Sequence, residues 1–199
     1  MKKRVFIIHG WSGYPEEGWL PWLKRELESK GFKVQVPAMP ETDHPKIEVW
    51  VPFLTKLVGK VDENTYFVGH SIGCQTIMRY LEGLTKGVKV GGVVFVAGWV
   101  RRLDGDLSRQ EQLIARPWLE TPIDLNEVAT HCNNFVAVFS DNDKWVRLAG
   151  ENKKIFQEEL GAKIIVEKQK GHFSGEDKIT KLPVVLNELL RIANVSEKE

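Results

Sequence analysis

Six short runs rich in β-branched and aromatic residues recur along the chain, at residues 4–8, 32–36, 65–68, 92–97, 135–139 and 163–167. Most are apolar at consecutive rather than alternate positions, the pattern of strands covered on both faces. Between them, apolar residues repeat at helical spacing. Trp19, Trp22, Leu23 and Leu27 form one such stripe, with Pro21 near its start and Gly31 beyond its end. Ile77, Tyr80, Leu81 and Leu84 form another, followed by Gly87, and Leu182, Val185, Leu186, Leu189 and Leu190 form the last. A further helix is expected over residues 147–160, stopping at Gly161. Residues 45–58 also read as helical, and Pro52 is expected to kink or split them. Strands alternating with helices specify βαβ units and a parallel sheet. The expected fold class is therefore α/β: a three-layer sandwich around a doubly wound parallel sheet of about six strands in the order 2-1-3-4-5-6.

The rhythm breaks once. Residues 99–131 have no strong period and carry Arg101, Arg102, Asp104, Gly105, Asp106, Pro117, Trp118 and Pro122. A connection this long is usually functional, and its place after the fourth strand lays it over the carboxyl edge of the sheet, where open α/β sheets bind ligands. Otherwise residues 1–194 read as a single domain, with a polar tail at 195–199 expected to fray.

Bulk properties exclude several classes of function. A net charge of +1 is too balanced for a surface that neutralises many phosphates, so nucleic acid is not an expected partner. No apolar run reaches the length of a membrane span. The four apolar residues from Val5 to Ile8 are too few for the apolar core of a secretory signal. Cys74 and Cys132 do not make a disulfide framework, which fits a reduced, cytoplasmic setting, and Cys74 reads as a small packed residue. Neither paired histidines at ligand spacing nor a G-x-x-x-x-G-K loop is present, so no metal or nucleotide cofactor is expected.

The chemistry concentrates at Gly69-His70-Ser71-Ile72-Gly73, a G-x-S-x-G directly after the third strand and directly before a helical stripe. A serine on so sharp a turn holds its hydroxyl clear of the backbone, and the glycines permit the turn where a Cβ would clash. A nucleophilic Ser71 needs a base and a group to orient that base, in the chain order serine, acid, histidine. Ser140-Asp141-Asn142-Asp143 follows the fifth strand and Gly171-His172-Phe173 follows the sixth, so both leave the same sheet edge as Ser71. Asp141 and Asp143 are both candidates for the acid, with Asp143 preferred and the other a turn-former. His172 is the base. His131 precedes a strand and belongs at the opposite edge, His44 falls out of order, and His9 and His70 are locked into glycine turns. Donors for a developing oxyanion are expected from the Ile72 N–H, at a helix start, and the Trp11 N–H, in the turn His9-Gly10-Trp11-Ser12-Gly13. Trp11 and Trp99 leave strands at this edge and could wall a substrate pocket, whereas Arg101 and Arg102 read as a solvated pair.

With these residues in place, the chain resembles the α/β-hydrolase superfamily, and within it the small serine-hydrolase family that includes retinoblastoma-binding protein 9. The resemblance rests on the His9–Gly13 turn, the Gly69–Cys74 stretch, the Ser140–Asp143 turn and Gly171-His172-Phe173. It implies a Ser71, Asp143, His172 triad, because Ser140, Asp143 and Val146 match the superfamily's spacing around its acid; Arg147 stands where a proline often follows. It also implies a fold without a large cap domain. The activity implied is hydrolysis of a small ester or amide substrate through an acyl-enzyme. A binding module on the same scaffold is the alternative. It lacks support, since neither Cys74, preceded by Ile72-Gly73, nor Cys132, preceded by Thr130-His131, sits in an L-x-C-x-E motif.

Overall fold

The computed structural model describes residues 2–148 and 150–195. Strands β1 (Arg4–Ile8), β2 (Lys33–Gln35), β3 (Thr65–His70), β4 (Gly92–Val96), β5 (Phe135–Ser140) and β6 (Lys163–Glu167) form one sheet in the order β2-β1-β3-β4-β5-β6. All neighbours run parallel, with Arg4 opposite Thr65 and Tyr66 opposite Gly92 in the central registers. The chain steps outward from β1 to β2, then returns to place β3 on the other side of β1. That reversal opens a crevice between diverging crossovers at the carboxyl ends of β1 and β3, and Ser71 follows β3 directly.

Among the described residues, seven helices cover the sheet: α1 (Leu20–Ser29), α2 (Ile47–Val58), α3 (Ile72–Glu82), α4 (Arg109–Glu120), α5 (Leu125–Thr130), α6 (Glu151–Glu158) and α7 (Pro183–Ile192). The pleat of β1 divides the core between them. Val5 and Ile7 point to one face, with Leu23 and Leu27 of α1 and Val185 and Leu189 of α7. Phe6 and Ile8 point to the other, with Trp50 and Leu54 of α2, Ile77 of α3 and Phe156 of α6. The apolar runs are thus buried on both sides. The two edge strands depart from this, β6 being half-exposed along its length.

Three sequence expectations need correction. Pro52 does not split its helix: α2 runs unbroken from Ile47 to Val58. The proline removes one backbone donor, while Trp50, Leu54 and Val58 bury the same helix against the core. The helix expected over 147–160 is shorter, beginning at Glu151 after Gly150. Most importantly, residues 99–131 are not an irregular connection, for they contain α4 and α5. A capping box starts α4: the Ser108 N–H donates to Glu111 Oε2 (2.7 Å) and the Glu111 N–H to Ser108 Oγ (3.3 Å). Its far end is tied to α3 by the buried Arg79 guanidinium, which donates to the Trp118 (3.1 Å) and Thr121 (2.7 Å) carbonyls. The tail residues 196–199 lie outside the described residues. Among the described residues, no helix is long and apolar enough to cross a membrane.

Candidate active site

Ser71 sits between β3 and α3 with φ 53° and ψ −120°, a conformation sparsely populated by side-chain-bearing residues. The surrounding glycines are required by contact rather than by φ. A Cβ on Gly73 would lie 2.4 Å from the Ile8 carbonyl oxygen, and one on Gly69 would lie 2.8 Å from the Cys74 nitrogen. The first turn of α3 therefore packs directly on the end of β1. The Ser71 N–H donates to the Val96 carbonyl (2.9 Å), which pins the turn to β4.

The Ser71 hydroxyl donates to His172 Nε2 (2.9 Å), and His172 Nδ1–H donates to Asp143 Oδ2 (2.8 Å). Asp143 is buried, and its Oδ1 accepts from the Trp145 (2.8 Å) and Val146 (3.1 Å) N–H groups. A hydroxyl, an imidazole and a carboxylate in one hydrogen-bonded line can move a proton off the serine and stabilise the imidazolium that results. Asp141 is not part of that line. It is exposed, and its Oδ1 accepts from the Gln169 N–H (2.7 Å) in the facing loop.

These groups open onto a cavity of about 780 Å³. Trp11 and Ile72 line it beside Ser71. The Ile72 N–H is the first of α3, where an amide has no acceptor within its own helix. In the facing turn, Ser12 N–H donates to Thr42 (2.9 Å) and Gly13 N–H to Gly10 (3.2 Å), while Trp11 N–H is engaged by no partner among the described residues. Trp99 lies in the wall and is buried; its indole Nε1–H points at Ser71 Oγ from 3.4 Å.

Several wall residues escaped sequence reasoning. Leu103, Leu107 and Trp145 add apolar surface, and Glu17, Lys144 and Asp177 add charge. None belongs to a motif, and the tertiary fold alone gathers them. Arg101 and Arg102 are outside the wall, paired with Glu159 (3.0 Å) and Asp104 (2.7 Å). His131 is buried at the opposite end of the sheet, bonded to the Val88 carbonyl and the Glu127 carboxylate. His44 is exposed and lies outside the cavity.

His70 is held neutral. Burial first, and then the neighbouring His172, push it down to about 4. A carbonyl can only accept, so His70 Nε2 carries the proton that it shares with the His172 oxygen (2.7 Å). Burial also pushes both thiols up, Cys74 far out of the reactive range and Cys132 to about 11, which leaves them as packing residues.

Along most of its length the chain is similar to known proteins. YdeN of Bacillus subtilis (strain 168) is 29% identical over 189 residues, 95% of each chain, and the rat serine hydrolase RBBP9 is 26% identical over 162 residues, 80% of each. The crystal structure of the B. subtilis ydeN gene product superposes with a TM-score of 0.88 at 27% identity, covering 97% of this chain and 100% of that one. Est1E from Butyrivibrio proteoclasticus shares the fold at 16% identity, with a TM-score of 0.72 over 97% of this chain and 89% of its own. The architecture is the α/β-hydrolase fold, and the serine hydrolase family model matches residues 5–191, most of the length from first strand to last helix. The chain belongs to the serine hydrolase family.

Proposed function

We propose that this hydrolase cleaves a small ester, with Ser71 as nucleophile, His172 as general base and then acid, and Asp143 as the group that orients and charges-balances the imidazole. As Ser71 Oγ attacks the substrate carbonyl, His172 Nε2 takes its proton, and Asp143 stabilises the imidazolium. The Trp11 and Ile72 N–H groups receive the negative charge that develops on the carbonyl oxygen. His172 returns the proton to the leaving alcohol, and an acyl-enzyme remains on Ser71. Water, deprotonated by the same Nε2, attacks that ester and releases the acid and the free serine.

The observation that carries this reading is the unbroken line from Ser71 Oγ to His172 (2.9 Å) to Asp143 (2.8 Å) on the wall of a cavity of about 780 Å³. The pocket suits a small molecule, with Trp11 and Trp99 supplying apolar wall. We place the activity in a reducing, cytoplasmic setting, supported by two free, buried cysteines. A fluorophosphonate probe should label the protein and leave Ser71→Ala unlabelled, and p-nitrophenyl esters should be hydrolysed by the first alone. Equal labelling of both proteins, or of neither, refutes the assignment.

A further inference from the structure

His172 lies in the loop between β6 and α7, where no ladder or helix holds the backbone. Side chains hold it instead. Asp141 Oδ1 accepts from the Gln169 N–H (2.7 Å), Ser140 Oγ from Lys170 (3.0 Å) and Asn142 Oδ1 from Gly171 (2.8 Å). Together with Asp143 on the imidazole, four consecutive side chains leaving β5 grip four consecutive residues of the facing loop. The His172 peptide is then held from two further sides. His70 Nε2–H donates to its carbonyl (2.7 Å), and Asp177 Oδ2 accepts from its N–H (2.8 Å).

Asp177 is more than one contact. The same Oδ2 accepts from the Ser174 N–H (3.1 Å) and hydroxyl (2.8 Å), and Oδ1 occupies the space of a Cβ on Gly171, 2.0 Å from its ideal position. The turn it spans is strained at Phe173, whose φ is +58°, while Gly171 takes its φ of +55° freely. Such backbone persists only where its surroundings impose it.

We propose that Asp177 is a positioning residue for the hydrolysis: it fixes the His172 peptide so that the imidazole reaches Ser71 and Asp143 at once. This rests on the Ser71, His172 and Asp143 roles proposed above. The loop as a whole is anchored from beneath, by buried Phe173 and by the Trp19 indole N–H on the Phe173 carbonyl (2.9 Å). Asp177 itself is exposed and contributes nothing to the core. Its loss therefore releases the peptide that aims the ring while leaving the fold in place.

The test compares wild type, Asp177→Ala, Asp177→Asn and Ser71→Ala. The readouts are kcat and KM on a p-nitrophenyl ester, the rate of fluorophosphonate labelling, and thermal melting. Asp177→Ala should lower kcat about tenfold to a hundredfold, the scale of an ångström of misplacement, and slow labelling equally. KM should stay within about twofold, because the Asp177 carboxylate, although it lines the cavity, is engaged by loop donors and offers a neutral ester little binding. Asp177→Asn retains one acceptor oxygen and should recover much of the loss. If Asp177→Ala does not fold, the labelling rate of Asp177→Asn decides, an intermediate slowing being expected and the wild-type rate contrary. Labelling of Asp177→Ala at the wild-type rate, a change in KM alone, or an Asn variant no better than a folded Ala variant overturns the proposal. Wild type that resists the probe, or Ser71→Ala that takes it, overturns the triad assignment first and this proposal with it.

Discussion

Replacing Asp143 by asparagine separates the shape of the site from its chemistry. Asp143 Oδ1 accepts from two backbone N–H groups, Trp145 at 2.8 Å and Val146 at 3.1 Å. Those donors dictate the orientation of an asparagine amide: its oxygen keeps both bonds, and its NH₂ turns toward His172 Nδ1. A donor facing Nδ1 makes that nitrogen an acceptor and moves the ring proton to Nε2, the atom 2.9 Å from Ser71 Oγ that has to receive a proton. The geometry survives and the base is lost. Loss of the correct tautomer lowers kcat by on the order of 10⁴. At 1.36 kcal/mol per tenfold, that is about 5 kcal/mol of barrier. The effect on folding is much smaller, about 1–3 kcal/mol, because a buried charge-assisted bond and a buried charge disappear together. Asp141→Asn is the matched control. Asp141 is exposed and accepts from the Gln169 N–H alone among its facing-loop contacts (2.7 Å), and asparagine can still accept there. It should lose less than about tenfold, since a neutral hydrogen bond is worth about 1 kcal/mol. Steady-state hydrolysis of a p-nitrophenyl ester by both variants, with urea melts alongside, measures the difference. An Asp141→Asn as crippled as Asp143→Asn, or an Asp143→Asn retaining more than about 1% of kcat, refutes the tautomer argument.

Three further outcomes follow from other contacts. Gly73→Ala forces a Cβ to within 2.4 Å of the Ile8 carbonyl oxygen, where only backbone movement can relieve it, so urea unfolding should show a loss of about 3 kcal/mol. Trp99→Phe keeps an aromatic ring of smaller size and removes the indole donor 3.4 Å from Ser71 Oγ; kcat should fall about two- to tenfold with KM little changed, in steady-state assays. His70, held at about 4 against an ordinary 6.5, refuses a proton that the unfolded chain accepts, so the stability present above pH 6.5 should erode as the pH falls to 4. The full loss is about 3 kcal/mol, and His70→Gln, which can still donate to the His172 carbonyl, should flatten that stretch of a urea-midpoint-versus-pH curve.

How much of this could be read from the chain depends on the range over which each feature is encoded. The strands were legible because burial on both faces leaves them continuously apolar, as in Phe95 and its neighbours on β4, all buried. The order of Ser71, an Asp turn and His172 was legible because each lies at the end of such a strand. Choosing between Asp141 and Asp143 was harder, since a turn of four polar residues looks the same whichever carboxylate faces the imidazole. In the structure all four are used, three on backbone amides and one on the ring. α4 was hidden for a different reason. It buries just Ala115 and Trp118, leaves Leu113 exposed and carries Pro117 in its interior, a residue that ordinarily breaks a helix. Its one local signal was the Ser108–Glu111 capping box.

Asp177 marks the point where local encoding ends. Its partners are the His172 and Ser174 amides, which every residue type possesses, and the Ser174 hydroxyl, whose spacing from Asp177 is that of any polar turn. Gly171 carries a further trace of it. A glycine before His172 looks like ordinary turn chemistry until the space above its Cα is found filled by the Asp177 carboxylate. The same holds for Gly73, where the crowding atom belongs to β1, more than sixty residues earlier in the chain. At Gly73 the glycine is fixed by the group that approaches it, and at Gly171 that crowding adds to a φ of +55° that already favours glycine. The sharp turn that carries Ser71 could thus be inferred from its own neighbours, while the proposed aiming of His172 rests on contacts that exist once the sheet has brought the loops together.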